Sequence, residues 1–84
     1  MLSESTIKAA IEMRVNEYSF WTIGVTDNPM RCKGEHRNPN AWYDWDANTE
    51  QEARNVEAYF INKGMKKATG ENGSANHVYI FIVI

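Results

Sequence analysis

Residues Phe20–His36 read FWTIGVTDNPMRCKGEH, and the way this stretch divides decides the fold. Tyr18–Thr26 is rich in β-branched and aromatic residues, which predicts a strand. Its alternation sets Trp21, Ile23 and Val25 on one face and Phe20, Thr22 and Gly24 on the other. The run Asp27-Asn28-Pro29 ends the strand. Asn28 suits a helix N-cap and Pro29 the first helical position, so a short second helix is expected from Met30 to about His36, weakened by Gly34.

Working outward, the N-terminal segment reads as a helix. Ser3 is its N-cap, Leu2 and Ile7 are placed for a hydrophobic staple, and Ile7, Ala10, Ile11 and Val15 recur at helical spacing. Arg37–Asn40, RNPN, is a turn or loop. Ala41–Asp46, AWYDWD, reads either as a short edge strand or as an aromatic loop, and we favour the strand. Thr49 and Glu52 form a capping box for a third helix with Ala53, Val56 and Phe60 as its apolar stripe and Gly64 at its C-terminal cap. Residues 66–76, KKATGENGSAN, read as a polar loop. His77–Ile84, HVYIFIVI, is apolar at nearly every place, which fits a central strand covered on both faces. The expectation is one domain over residues 1–84, α/β (α+β) in class, with a three-stranded mixed sheet flanked by three helices and the last strand in its centre.

Composition narrows the function classes. The 84 residues carry a formal charge of −2, whereas a protein that holds nucleic acid mainly by neutralising phosphate is normally basic. Two local groups, Arg31/Lys33/His36/Arg37 and Lys63/Lys66/Lys67, read as solvated surface charge or as phosphate contacts. Cys32 is the single cysteine, so no internal disulfide forms and a cytoplasmic location is the default. No signal peptide is evident, and the longest apolar run, Val78–Ile84, is far too short to span a bilayer, so no membrane partner is expected.

Glu57 is the residue that the helical pattern leaves odd. With Ala53 at zero on the third helix, Glu57 falls at about 40°, between Ala53 and Ile61 and inside the apolar arc. A carboxylate there either pairs with Arg54 or another base at the edge of the face, or acts at the rim of a cleft as an acid/base or as an oxygen ligand suited to magnesium. Asp44 and Asp46 share one side of their strand and read as exposed carboxylates before a cation site. His36 and His77 have no ligand-spaced partners, so no zinc site is indicated. Cys32 lies near Lys33 and His36, but no base arrangement marks it as a catalytic thiol.

Thr22-Ile23-Gly24-Val25-Thr26-Asp27, with Arg31 and His36 after it and Ala53, Glu57 and Ile61 on a later helix, resembles the second half of the GIY-YIG nuclease signature across about half the chain, Phe20 to Met65. The resemblance implies a metal-dependent phosphodiesterase: the glutamate holds a magnesium or manganese ion, the arginine steadies the scissile phosphate, and a tyrosine from each half of the signature orients the attacking water. Thr22 stands where the family has tyrosine, and Cys32 stands where its arginine usually falls. The Gly-Ile-Tyr half is absent upstream of Phe20. A circular permutation would let the strand around Tyr79 take its place, because the two signature strands pair directly in the family. Two function classes follow. We favour a non-catalytic or degenerate GIY-YIG-like domain that binds DNA, RNA or a protein through Trp42, Tyr43 and Trp45. The alternative is a metal-dependent endonuclease with Glu57 as metal ligand and Arg31, His36 and Tyr79 near the phosphate.

Overall fold

The computed structural model describes residues 1–68 and 75–82. The elements run α1 (Glu4–Arg14), a 3₁₀ turn (Tyr18–Phe20), β1 (Thr22–Thr26), α2 (Pro29–Glu35), β2 (Trp42–Asp46), α3 (Glu50–Lys63), β3 (Lys66–Lys67) and β4 (His77–Phe81). The strands form one mixed sheet in the order β2-β4-β1-β3. β4 runs antiparallel to both β1 and β2, and β3 runs parallel to β1. The apolar closing strand is central, as its composition predicts.

Two features differ from the sequence reading. The sheet has four strands where three are expected, because Lys66 N–H donates to Trp21 O at 3.0 Å and Ala68 N–H to Ile23 O at 2.9 Å. These backbone bonds draw two exposed lysines into an edge strand that carries no side-chain signal. β1 begins four residues later than Tyr18, because Trp21 N–H closes on Tyr18 O at 3.0 Å and the Glu17 carboxylate accepts from Ser19 N–H. Residues 69–74 of the expected polar loop, and Val83 and Ile84 at the expected end of the last strand, lie outside the described residues.

The caps explain why the helices start and stop where they do. Ser3, Asn28 and Thr49 each accept a backbone N–H of the first turn. The capping box departs from its usual closure. Thr49 Oγ1 accepts from Glu52 N–H at 3.1 Å, but Glu52 Oε1 accepts from Glu4 N–H at 3.2 Å, so the carboxylate serves the N-terminus of α1 and ties it to α3. Gly64 has φ +120° and ends α3, with Met65 N–H returning to Phe60 O at 3.0 Å.

α1 and α3 cover the first face of the sheet. Ile7, Ile11, Val56 and Phe60 pack there on Ile23, Val25, Val78 and Ile80. The second face carries a separate, smaller apolar cluster of Cys32, Ala68, Tyr79 and Phe81, with Trp42 packed against it. β4 is therefore buried on both sides.

Gly24 and Gly34 give a paired test of this packing. A Cβ at Gly24 would stand 2.5 Å from Tyr79 Cζ and 2.8 Å from Ala68 Cβ, whereas one at Gly34 meets nothing within 4 Å. Gly24→Ala is expected to lower unfolding free energy in urea by about 2 kcal/mol or more through overpacking. Gly34→Ala is expected to leave it unchanged or raise it by about 0.5 kcal/mol.

Glu4 gives a pH test. Its carboxylate is held below the ordinary carboxylate value, first by the Lys8 ammonium at 2.7 Å and then by Asn55 Nδ2 at 3.0 Å. A depressed folded-state pKa adds stability in full above the unfolded value and loses it as pH falls through the folded one. Denaturation of Glu4→Gln is expected to show a flatter loss of stability below pH 4.5 than the parent protein.

Candidate functional site

The site begins at the ladder between β1 and β4, where Gly24 lies directly opposite Tyr79. Without a Cβ on Gly24, the phenol ring can lie flat across the neighbouring strand. Trp42, carried over Phe81 on the far side of β4, then stacks on Tyr79 at 4.7 Å with the planes 8° apart. Phe81 completes the row at 6.0 Å from Tyr79. Offset stacking of this kind adds about 0.5–1.5 kcal/mol per pair beyond the buried area.

α2 closes this face. Cys32 points inward and is buried. After it the chain turns through Arg37 and Asn38, both with positive φ, while Asn38 N–H returns to Lys33 O at 2.8 Å. Asparagine visits this left-handed region readily and arginine does so at a cost, so the turn holds local strain. The turn seats His36 over the aromatic row, 4.6 Å from Phe81, with Nε2 3.2 Å from the Tyr79 hydroxyl.

The sequence-derived candidates are therefore distributed as follows. His36 and Tyr79 meet in one hydrogen bond. Arg31 does not join them. It is half-exposed on the outer side of α2, 2.8 Å from Asp27 Oδ1 and 3.9 Å from Glu35 Oε2. One helical step of about 100° separates it from Cys32, the residue that faces inward. Glu57 is carried by α3 on the first face, whereas His36 and Tyr79 lie on the second. It is 8% exposed and borders an open depression of about 770 Å³ with Lys8, Asn55, Tyr59, Asn62 and Lys67. Among the described residues no group of three or more His, Cys, Asp or Glu side chains is arranged to hold a metal ion.

Trp42, Tyr43 and Trp45 do not form one surface. Strand alternation puts Trp42 on the second face. It sends Tyr43 and Trp45 to the first, where they stack at 6.3 Å and Arg14 lies 5.1 Å over Tyr43. What the three share is membership of β2, one of the two edge strands of the described sheet.

Beside Trp42 lies a groove of about 340 Å³ lined by Pro29, Met30, Lys33, Asn38, Trp42 and Asp44. Met30 is 86% exposed. Asp44 Oδ2 accepts from Trp42 Nε1 at 2.7 Å and holds the indole on the groove wall. Met30, Asn38 and Phe81 were not singled out by sequence reasoning. The isolated glycine inside a strand was the available signal for the close approach at Tyr79. Among the described residues no helix is long and apolar enough to cross a membrane. No protein-family model, curated protein or solved structure matches the chain.

Tyr79→Phe keeps the ring on Gly24 and removes the hydroxyl that meets His36. Its expected cost in urea denaturation is about 1 kcal/mol, the ordinary net value of one hydrogen bond. A value near zero would show that water serves His36 equally well.

Proposed function

We propose that the chain is a non-catalytic binding domain, a degenerate relative of the GIY-YIG fold, and that its partner is a protein. The observation that carries this reading is the groove beside Trp42, where an exposed thioether and a fixed indole stand between one cation, Lys33, and one anion, Asp44. Exposed apolar side chains rimmed by polar groups mark interaction sites. Methionine adapts its shape to a peptide surface, and tryptophan is a frequent anchor of interfaces. The net charge of −2 favours a protein over a nucleic acid. Support for the kinship comes from the direct pairing of β1 with β4, which a permuted signature requires.

The second reading is a phosphodiesterase with Glu57 holding magnesium or manganese and with Arg31, His36 and Tyr79 at the phosphate. The contact between His36 and Tyr79 favours it. Against it, Glu57 lies on the opposite face of the sheet, and Arg31 is engaged with Asp27.

Selection from a displayed random-peptide library tests the proposal. Peptides are expected to enrich, and Met30→Asp is expected to weaken them by about tenfold, or about 1.4 kcal/mol. Titration with manganese, read by amide NMR, is expected to give no broadening centred on Glu57 that Glu57→Gln abolishes. A Glu57-dependent manganese site, or tight binding of a single-stranded oligonucleotide in place of peptides, would overturn the reading in favour of the nuclease or nucleic-acid alternative.

A further inference from the structure

The open edge of β2 borders the same groove, and its backbone direction can be read from the ladder. Ile82 N–H donates to Ala41 O at 3.2 Å and Ala47 N–H to Asn76 O at 2.8 Å. Antiparallel pairs alternate, so the odd-numbered residues of β2 bond inward to β4 and the even-numbered ones point outward. Leu2 confirms the phase from outside: its N–H donates to Asp46 O at 2.7 Å, and its C=O accepts from Asn48 N–H at 2.9 Å. Leu2 thus caps the far end of the edge. The N–H and C=O groups of Trp42 and Asp44 remain directed away from the sheet, with no backbone partner among the described residues.

We infer that this edge takes up an extended segment of a partner protein as an added strand, and that the segment alternates basic and apolar residues. The inference rests on the protein-binding reading above and names its mode and chemistry. Strand addition satisfies outward backbone groups and leaves specificity to alternate side chains. On the second face the added strand meets Trp42 and Asp44, short of the end that Leu2 covers at Asp46, so lysine or arginine there finds the Asp44 carboxylate directly across the ladder. On the first face it meets Tyr43, 42% exposed, with Arg14 lying over it. An apolar side chain suits that surface, and a second cation does not. A second copy of this chain is a poorer occupant. It would bring another Asp44 and Asp46 to the same joined face, and each chain already carries −2. Edge carboxylates oppose this kind of self-pairing and leave a basic strand as the complement.

The test uses the whole chain and three blocked synthetic hexapeptides: alternating lysine and valine, alternating glutamate and valine, and the lysine peptide methylated at alternate backbone nitrogens. Amide NMR and hydrogen exchange at Trp42 and Asp44 are the readouts. The lysine peptide is expected to shift both amides and slow their exchange, whereas the glutamate and methylated peptides do neither. Asp44→Asn is expected to weaken the lysine peptide about fivefold. The methylated peptide alters no residue of the protein, so this arm does not depend on a variant folding. Shifts confined to Met30 and Lys33, with exchange at Trp42 and Asp44 unchanged, overturn strand addition while leaving groove binding intact. Equal effects from the lysine and glutamate peptides overturn the charge assignment. Slowed exchange at the edge that appears with protein concentration alone overturns the choice of a foreign strand over a second copy.

Discussion

The ring of Tyr79 lying on Gly24 is the contact on which the second face of this sheet depends. A strand in the middle of a sheet has two faces to cover, and an 84-residue chain has few helices to do it with. Two helices, α1 and α3, are spent on the first face. Among the described residues the second receives only α2, seven residues long. A phenol laid flat over a glycine thickens that thin layer, and Trp42, Phe81 and His36 pack around the phenol in turn. Any side chain at position 24 would push into the ring. Glycine is therefore a packing requirement here, whatever its place in a signature.

Placement of the candidate site follows from the same arrangement. Trp42 is held from below by Tyr79 and from its edge by Asp44, so its indole forms a fixed wall beside Met30 and Lys33. The turn through Arg37 and Asn38 brings Asn38 to the same groove and His36 to the aromatic row. The groove and the open edge of β2 are thus neighbours by construction. A chain that enters the groove lies beside the outward backbone of Trp42 and Asp44.

Much of this is legible in the amino-acid order, for identifiable reasons. Asn28-Pro29, Thr49 with Glu52, and Gly64 are local chemistry, and local chemistry fixes where α2 and α3 begin and where α3 ends. The apolar run from His77 marked the central strand, because only a strand covered on both faces is apolar at successive positions. Lys66 and Lys67 were not legible as a strand. Their side chains point to solvent, and only the carbonyls of Trp21 and Ile23, far away in sequence, draw them into the sheet. Trp42, Tyr43 and Trp45 form a cluster in sequence, but in a strand adjacent residues face opposite ways, so one expected surface became two walls of one edge. The helical spacing places Glu57 as a carboxylate inside an apolar arc, and it is buried. The arc says which residues of α3 face the sheet, but it does not say which face of the sheet they meet.

The most direct measurement is a nuclear Overhauser spectrum of the protein in solution, read at the Gly24 α-protons. The account predicts strong cross-peaks from them to the Tyr79 ring, an upfield ring-current shift that disappears in Tyr79→Leu, and further cross-peaks from the Tyr79 ring to the Trp42 indole. Gly24 α-protons at ordinary shifts, with no cross-peak to Tyr79, would contradict it. They would mean that β4 does not present its aromatic row to the second face, and the Trp42 wall of the groove would then have nothing stacked beneath it.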